Sequence, residues 1–230
     1  MEKLQKVFGL AAALALIVAV LITSFEVGIY SDYGWYQREY EKYRVLDDLE
    51  MEMQDVMHVT EEMMAYLRGD RADLEVETVV NGEKRLFFNE REKLHMEDVQ
   101  GLFLGGLKIR RVAGMILAVS VLAVFFLRGN LRKILPQMYG WAVGLFLALA
   151  AIFGGLIATD FNKYFVLFHE IFFDNDLWLL DPDTDLMIRM LPEGFFFDMV
   201  IWIGVIFIGS LLLLWGAGIL WRRTGEKKKS

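Results

Sequence analysis

Four stretches of this 230-residue chain contain no Asp, Glu, Lys or Arg: Val7–Phe25, Val112–Leu127, Ile134–Thr159 and Met199–Trp221. That segregation constrains the fold more than any motif. A bilayer core needs about 20 consecutive apolar residues per helix. The first, third and fourth stretches qualify outright. The second is short by a turn, which Arg111 and Arg128 would recover by extending their side chains towards the headgroups. Only helices or closed barrels satisfy their backbone in lipid, and no long period-two alternation suggests a barrel. The expected fold class is an all-α membrane protein, a four-helix transmembrane bundle. The first stretch would also serve as a cleaved signal peptide, but no small-x-small site follows it, and Tyr30, Tyr33, Trp35 and Tyr36 read as an interfacial belt. A retained anchor is expected.

Charge sets the orientation. With four spans, both termini and the 128–133 loop share one side, net +8, against −15 for the rest. The positive-inside rule puts the termini in the cytoplasm. Lys108, Arg110 and Arg111 run against it, but they belong to a long outer loop, which translocates largely regardless of charge. The expected domains are a cytoplasmic tail and first span (1–29), an outer domain (30–111), the second span (112–127), a cytoplasmic loop (128–133), the third span (134–159), a second outer loop (160–198), the fourth span (199–221) and a basic tail (222–230). The acidic outer face excludes nucleic acid as an expected partner. The absence of cysteine excludes disulfides and thiol chemistry. Nothing in the sequence fixes an oligomeric state.

The outer domain reads as a small α+β unit. Tyr36, Tyr40, Tyr43 and Val45–Leu46 fall near helical spacing, as do Val56, Val59, Met63 and Leu67, a face that ends at Gly69. Asn81-Gly82 between two extended runs predicts a hairpin. Asn89 would cap a helix starting at Glu90. In the second loop, FNKYFVLFHEIFF is too short to span and too apolar for water, so an interfacial or re-entrant helix is expected. The acidic run Asp174, Asp176, Asp181, Asp183 and Asp185 reads as turn chemistry or a calcium site, without an EF-hand pattern.

Three histidines offer chemistry. His58 reads as an ordinary helix residue. His95 has Asp98 at i+3, either an orienting partner or a local ion pair. His169 stands among Phe165, Phe168, Phe172 and Phe173, where burial disfavours its charged form. It is either functional or a ring whose tip reaches water, Asp174 or Asp176. Glu26, near the outer end of the first helix, either reaches the interface beside His169 or stays exposed to headgroups. No zincin, nucleophile-elbow, P-loop or GxGxxG pattern occurs. Histidines without a nucleophilic Ser or Cys suggest acid–base chemistry on a substrate that brings its own nucleophile, and at the membrane boundary membrane lipids are the nearest candidates.

Two strings, N-E-R-E-x-x-H-M-x-D-V at 89–99 and F-H-x-x-F-F-x-N-D-x-W at 168–178, set in this four-span layout, resemble the bacterial lipoprotein intramolecular transacylase (Lit) family across nearly the whole chain. The resemblance implies a cell-membrane acyltransferase without cofactor or metal. Its partners would be lipoproteins bearing a diacylglyceryl cysteine, one acyl chain moving from the glyceryl group to the cysteine amine. On that reading His169 is the general base at the outer leaflet. His95, aligned by Asp98, is the oxyanion donor or the acid for the leaving oxygen, and the two roles are exchangeable. Phe165, Phe168, Phe172, Phe173 and Trp178 would line an acyl groove, and Asn89, Asn175 and Asp176 would hold the loops. The competing expectation is a non-catalytic protein that binds lipid or a partner protein through its outer domain. An outward-facing transporter is disfavoured, because the charge-free cores carry no ionisable residue to mark an ion path.

Overall fold

A computed structural model describes residues 1–227, with side chains as far as Gly225. Lys228 and Lys229, part of the expected basic tail, lie outside the described residues. Nine helices and one hairpin occur among the described residues: α1 (Glu2–Tyr30), α2 (Tyr33–Lys42), α3 (Val45–Leu49), α4 (Met53–Arg68), β1 (Glu77–Val80), β2 (Glu83–Leu86), α5 (Glu90–Phe126), α6 (Leu131–Thr159), α7 (Phe161–Phe172), α8 (Leu186–Met190) and α9 (Glu193–Lys227). Four of them, α1, α5, α6 and α9, are long and apolar enough to cross a membrane. The second charge-free stretch forms the end of a much longer helix. Lys108, Arg110 and Arg111 lie inside one unbroken 37-residue helix, because isolated charges end an apolar run without ending a helix of good helix formers.

The chain divides into two compact units. The first comprises 1–27, 107–159 and 202–230. Its core joins Ala13 and Ile17 of α1 to Tyr139, Ala142 and Val143 of α6 and to Phe207 and Leu211 of α9. The Tyr139 hydroxyl donates to the Leu211 carbonyl at 3.2 Å, so its one polar atom is satisfied inside the bundle. Large apolar side chains cover the outside: Phe126, Leu145 and Leu213 are 75%, 66% and 77% exposed, as a lipid solvent permits and water does not. This is a multi-pass membrane protein.

The second unit, 28–106 and 160–201, is the α+β part. The expected face of α4 (Val56, Val59, Met63 and Leu67) is buried. Gly69 closes that helix at φ +86°, a conformation open to glycine without strain. Asn81 and Gly82 both take positive φ, the geometry of a type I′ turn, and Glu77 pairs with Leu86 across the hairpin. Tyr36, Tyr40, Val45, Leu49 and Phe195 fill the core. The tyrosine-rich run is broken into α2 and α3 because Arg44 turns left-handed at φ 55°. The Tyr40 hydroxyl lies 2.7 Å from Thr60 Oγ1, and Thr60 in turn donates to the Val56 carbonyl. α7 is the expected short helix, 12 residues long, capped by Asp160, whose carboxylate accepts from the Lys163 amide.

Candidate active site

The second unit brings together residues 74 positions apart in sequence. The rings of His95 and His169 lie 6.1 Å apart, centroid to centroid, with their planes at 35°. Both residues are buried, at 7% and 8% exposure. His95 sits on the second turn of α5, and His169 on the last turn of α7.

The start of α5 is fixed by a reciprocal cap. The Asn89 side-chain oxygen accepts from the Glu92 amide at 3.0 Å, and the Glu92 carboxylate accepts from the Asn89 amide at 2.7 Å. The other Glu92 oxygen accepts from the Met187 amide at 2.6 Å, and Asn89 donates to Asp185 at 2.6 Å. Glu92 is fully buried, one turn before His95, and ties that turn to α8. Hydropathy gives no hint of this role. The signal is the Asn-x-x-Glu spacing at a helix start, which marks a capping box.

Phe173 is the shared wall, its ring centred 5.4 Å from His95 and 5.6 Å from His169. Phe165 stands 4.4 Å from His169, and Trp178 stacks on it at 5.0 Å with a 30° interplanar angle. Phe168 meets the ring edge-on at 5.4 Å and packs on Phe172. Phe168 and Phe172 are about half exposed, so they present apolar surface outward rather than sealing the imidazoles.

His169 Nδ1 lies 2.7 Å from the Phe165 carbonyl. A carbonyl only accepts, so Nδ1 carries the proton and the neutral ring keeps its lone pair on Nε2. Neither Asp174 nor Asp176 takes that place. Burial pushes the His169 imidazole below its ordinary value of 6.5, against a smaller opposite push from the Phe165 carbonyl. His95 Nδ1 is buried and has no hydrogen-bond partner among the described residues. Such an atom costs stability until something meets it.

Asp98 lies near enough to favour the charged form of His95 by its own charge, against the larger effect of burial, but it does not hold the ring by a hydrogen bond. Its carboxylate accepts from the Asn175 side-chain amide at 2.8 Å, and no bond joins it to His95 among the described residues. Asn175 also accepts, through its carbonyl, from the Trp178 indole at 3.0 Å. Arg91, one turn before His95, donates to the Asp176 carbonyl and pairs with its carboxylate at 3.7 Å. Residues 175–178 therefore lie along the His95 helix, fastened on either side of the imidazole. The acidic run is turn chemistry: Asp181 and Asp185 carboxylates accept from the Asp183 and Asp181 amides. Glu26 belongs to the other unit, where it pairs with Arg110. His58 is exposed on α4.

Comparison with known proteins agrees with this architecture. An uncharacterised protein of Aquifex aeolicus (strain VF5) is 30% identical over 149 residues, 64% of this chain, and the match spans 61% of that protein's length. The in meso structure of the membrane-integral lipoprotein intramolecular transacylase Lit from Bacillus cereus is similar to the whole chain, with a TM-score of 0.79, 19% identity and full coverage of both chains. A variant of that protein with a histidine changed to alanine gives a TM-score of 0.72 at 20% identity, over 99% of this chain and 96% of that one. At that identity the likeness shows the fold. The model of the lipoprotein intramolecular transacylase Lit family matches residues 10–196, about four-fifths of the sequence, and the chain belongs to that family.

Proposed function

We propose that this protein moves an acyl chain from the diacylglyceryl group of a lipoprotein to the α-amine of its N-terminal cysteine. Family membership supports the reaction class, and the paired imidazoles 6.1 Å apart carry the assignment of the site. The amine nitrogen attacks the ester carbonyl, a C–N bond forms, the C–O bond to glycerol breaks, and an amide and a glyceryl hydroxyl result. Nucleophile and electrophile sit in one substrate, so the protein's work is to position them, move one proton and stabilise an oxyanion.

His169 is the base. Nδ1–H is committed to the Phe165 carbonyl, and Nε2 has no protein partner among the described residues. Its lowered basicity keeps it neutral at pH 7, as an acceptor must be. His95 faces the same space, and its unpartnered Nδ1 suits a donor to the oxyanion. The proton taken from the amine is returned to the leaving glyceryl oxygen, so the cycle consumes none. Phe165, Phe168, Phe172, Phe173 and Trp178 supply the apolar walls for acyl chains. Asn89, Asn175, Asp176 and Asp98 hold the two segments in register. Glu26 acts in the bundle with Arg110.

Residues 30–111 and 160–198 belong to the outer side, with the site at the outer leaflet and both termini cytoplasmic, as the charge asymmetry favours. Mass spectrometry of a diacylglyceryl lipoprotein, expressed with this protein in cells lacking other N-acylating enzymes, tests the reading. The expected product is N-acylated with one acyl chain left on glycerol. A free amine and two ester-linked chains would overturn it.

A further inference from the structure

The first unit holds a second feature, which the His pair does not use. A cavity of about 520 Å³ opens between the start of α6 and the end of α9. Gln137 and Trp141 line it from α6, and Trp215, Ile219, Arg222 and Arg223 from α9. No carboxylate is among the described lining residues. Their charged and polar groups are two guanidiniums, two indole N–H groups and one amide. Arg223, Gln137 and both indoles have no hydrogen-bond or ion-pair partner among the described residues. The wall is therefore rich in donors and poor in acceptors, which selects an anion with several oxygens.

The cavity depends on a close approach of the helices. A Cβ on Gly140 would lie 3.0 Å from the Trp215 indole nitrogen, so glycine lets that ring lie against α6. Trp141 and Trp215 are 71% and 40% exposed, about three turns in from the ends of two apolar helices, as the indoles of an aromatic belt would be. Arg132 extends the positive charge, its guanidinium 6.0 Å from the Trp221 ring. A free phosphate would use the arginines alone. A lipid also uses Ile219 and the indole faces, as its acyl chains run along the helices.

We infer that this cavity binds the phosphodiester headgroup of an anionic glycerophospholipid, at the membrane face where α6 begins and α9 ends. The site is independent of the transacylation reading, since it shares no residue with the His pair.

Native mass spectrometry of the full-length protein, purified in detergent and offered phosphatidylglycerol or phosphatidylcholine, tests it. One phosphatidylglycerol per chain should be retained in preference to phosphatidylcholine. The double variant R222Q/R223Q should lower that retention by roughly tenfold or more, as expected for losing two arginine–phosphate contacts. R222K/R223K keeps the charge and should keep the lipid. Equal retention of the two lipids, unchanged retention in the glutamine variant, or equal loss in the lysine variant would each overturn the proposal. Displacement of the lipid by millimolar inorganic phosphate would also overturn it, reassigning the site to a free anion.

Discussion

Trp178 lies nearly flat on His169, ring centres 5.0 Å apart, while its indole N–H donates to the Asn175 carbonyl at 3.0 Å. Asn175 in turn donates to Asp98 on the helix that carries His95. The stacked ring is thus one end of a chain that reaches from one imidazole to the other residue's helix. That arrangement makes the loop after α7 part of the site.

Replacing either histidine should abolish most turnover and leave the fold. His169→Ala and His95→Ala are each expected to lose roughly 10²–10⁴-fold in rate, the usual contribution of one acid–base group. The double variant should lose far less than the product of the two if, as proposed, the rings act on one transition state. Rates from a lipopeptide assay, with circular dichroism of the same samples, decide this.

The pH profile should report His169. Its basicity is lowered by burial, so more than half of the rings are neutral at pH 6.5, and on the proposed reading activity falls as pH drops through that lowered value. Folding favours the neutral ring, so its contribution to stability rises with pH between the lowered value and 6.5. Trp178→Ala admits water to the ring. The acid limb of kcat/KM should then move up towards 6.5, whereas a substitution affecting only stability would lower activity without moving the limb.

Glu92 should matter for stability before chemistry. Glu92→Ala strands the buried Met187 amide, at about 1–3 kcal/mol, and the part-buried Asn89 amide at less. Glu92→Gln keeps one good acceptor and should cost about half as much. Thermal unfolding in detergent measures both, and equal midpoints for the alanine variant and the parent would contradict the role given to this carboxylate.

Gly194 and Tyr43 should be coupled. A Cβ on Gly194 would clash with the Tyr43 ring, so Gly194→Ala should destabilise by about 1–3 kcal/mol through overpacking. Tyr43 is held by its hydroxyl, which donates to Asp198 at 2.5 Å, and cannot simply swing away. In a Tyr43→Ala background the alanine at 194 should cost little, a double-mutant cycle with a clear interaction energy.

The spans were legible because exclusion of charge is a one-dimensional signal, and the hairpin because Asn81-Gly82 fixes its own turn. The continuity of α5 was not, since Lys108, Arg110 and Arg111 interrupt hydropathy while the backbone continues as helix. His95 and His169 stand out by composition, but their meeting depends on contacts across 74 residues that no periodicity encodes. Asp98 shows the limit well. Helical spacing puts it on the His95 face, yet Asn175 claims its carboxylate from a different segment. Glu92 hides in the same way, a charge whose burial is intelligible only once α8 is in place.

The bond from His169 Nδ1 to the Phe165 carbonyl has a further consequence. Donor and acceptor are four residues apart on one helix, so a single turn of backbone chooses which nitrogen holds the hydrogen. The choice needs no loop, no neighbouring helix and no bound lipid. The surrounding aromatic walls can shift without the imidazole losing its tautomeric identity.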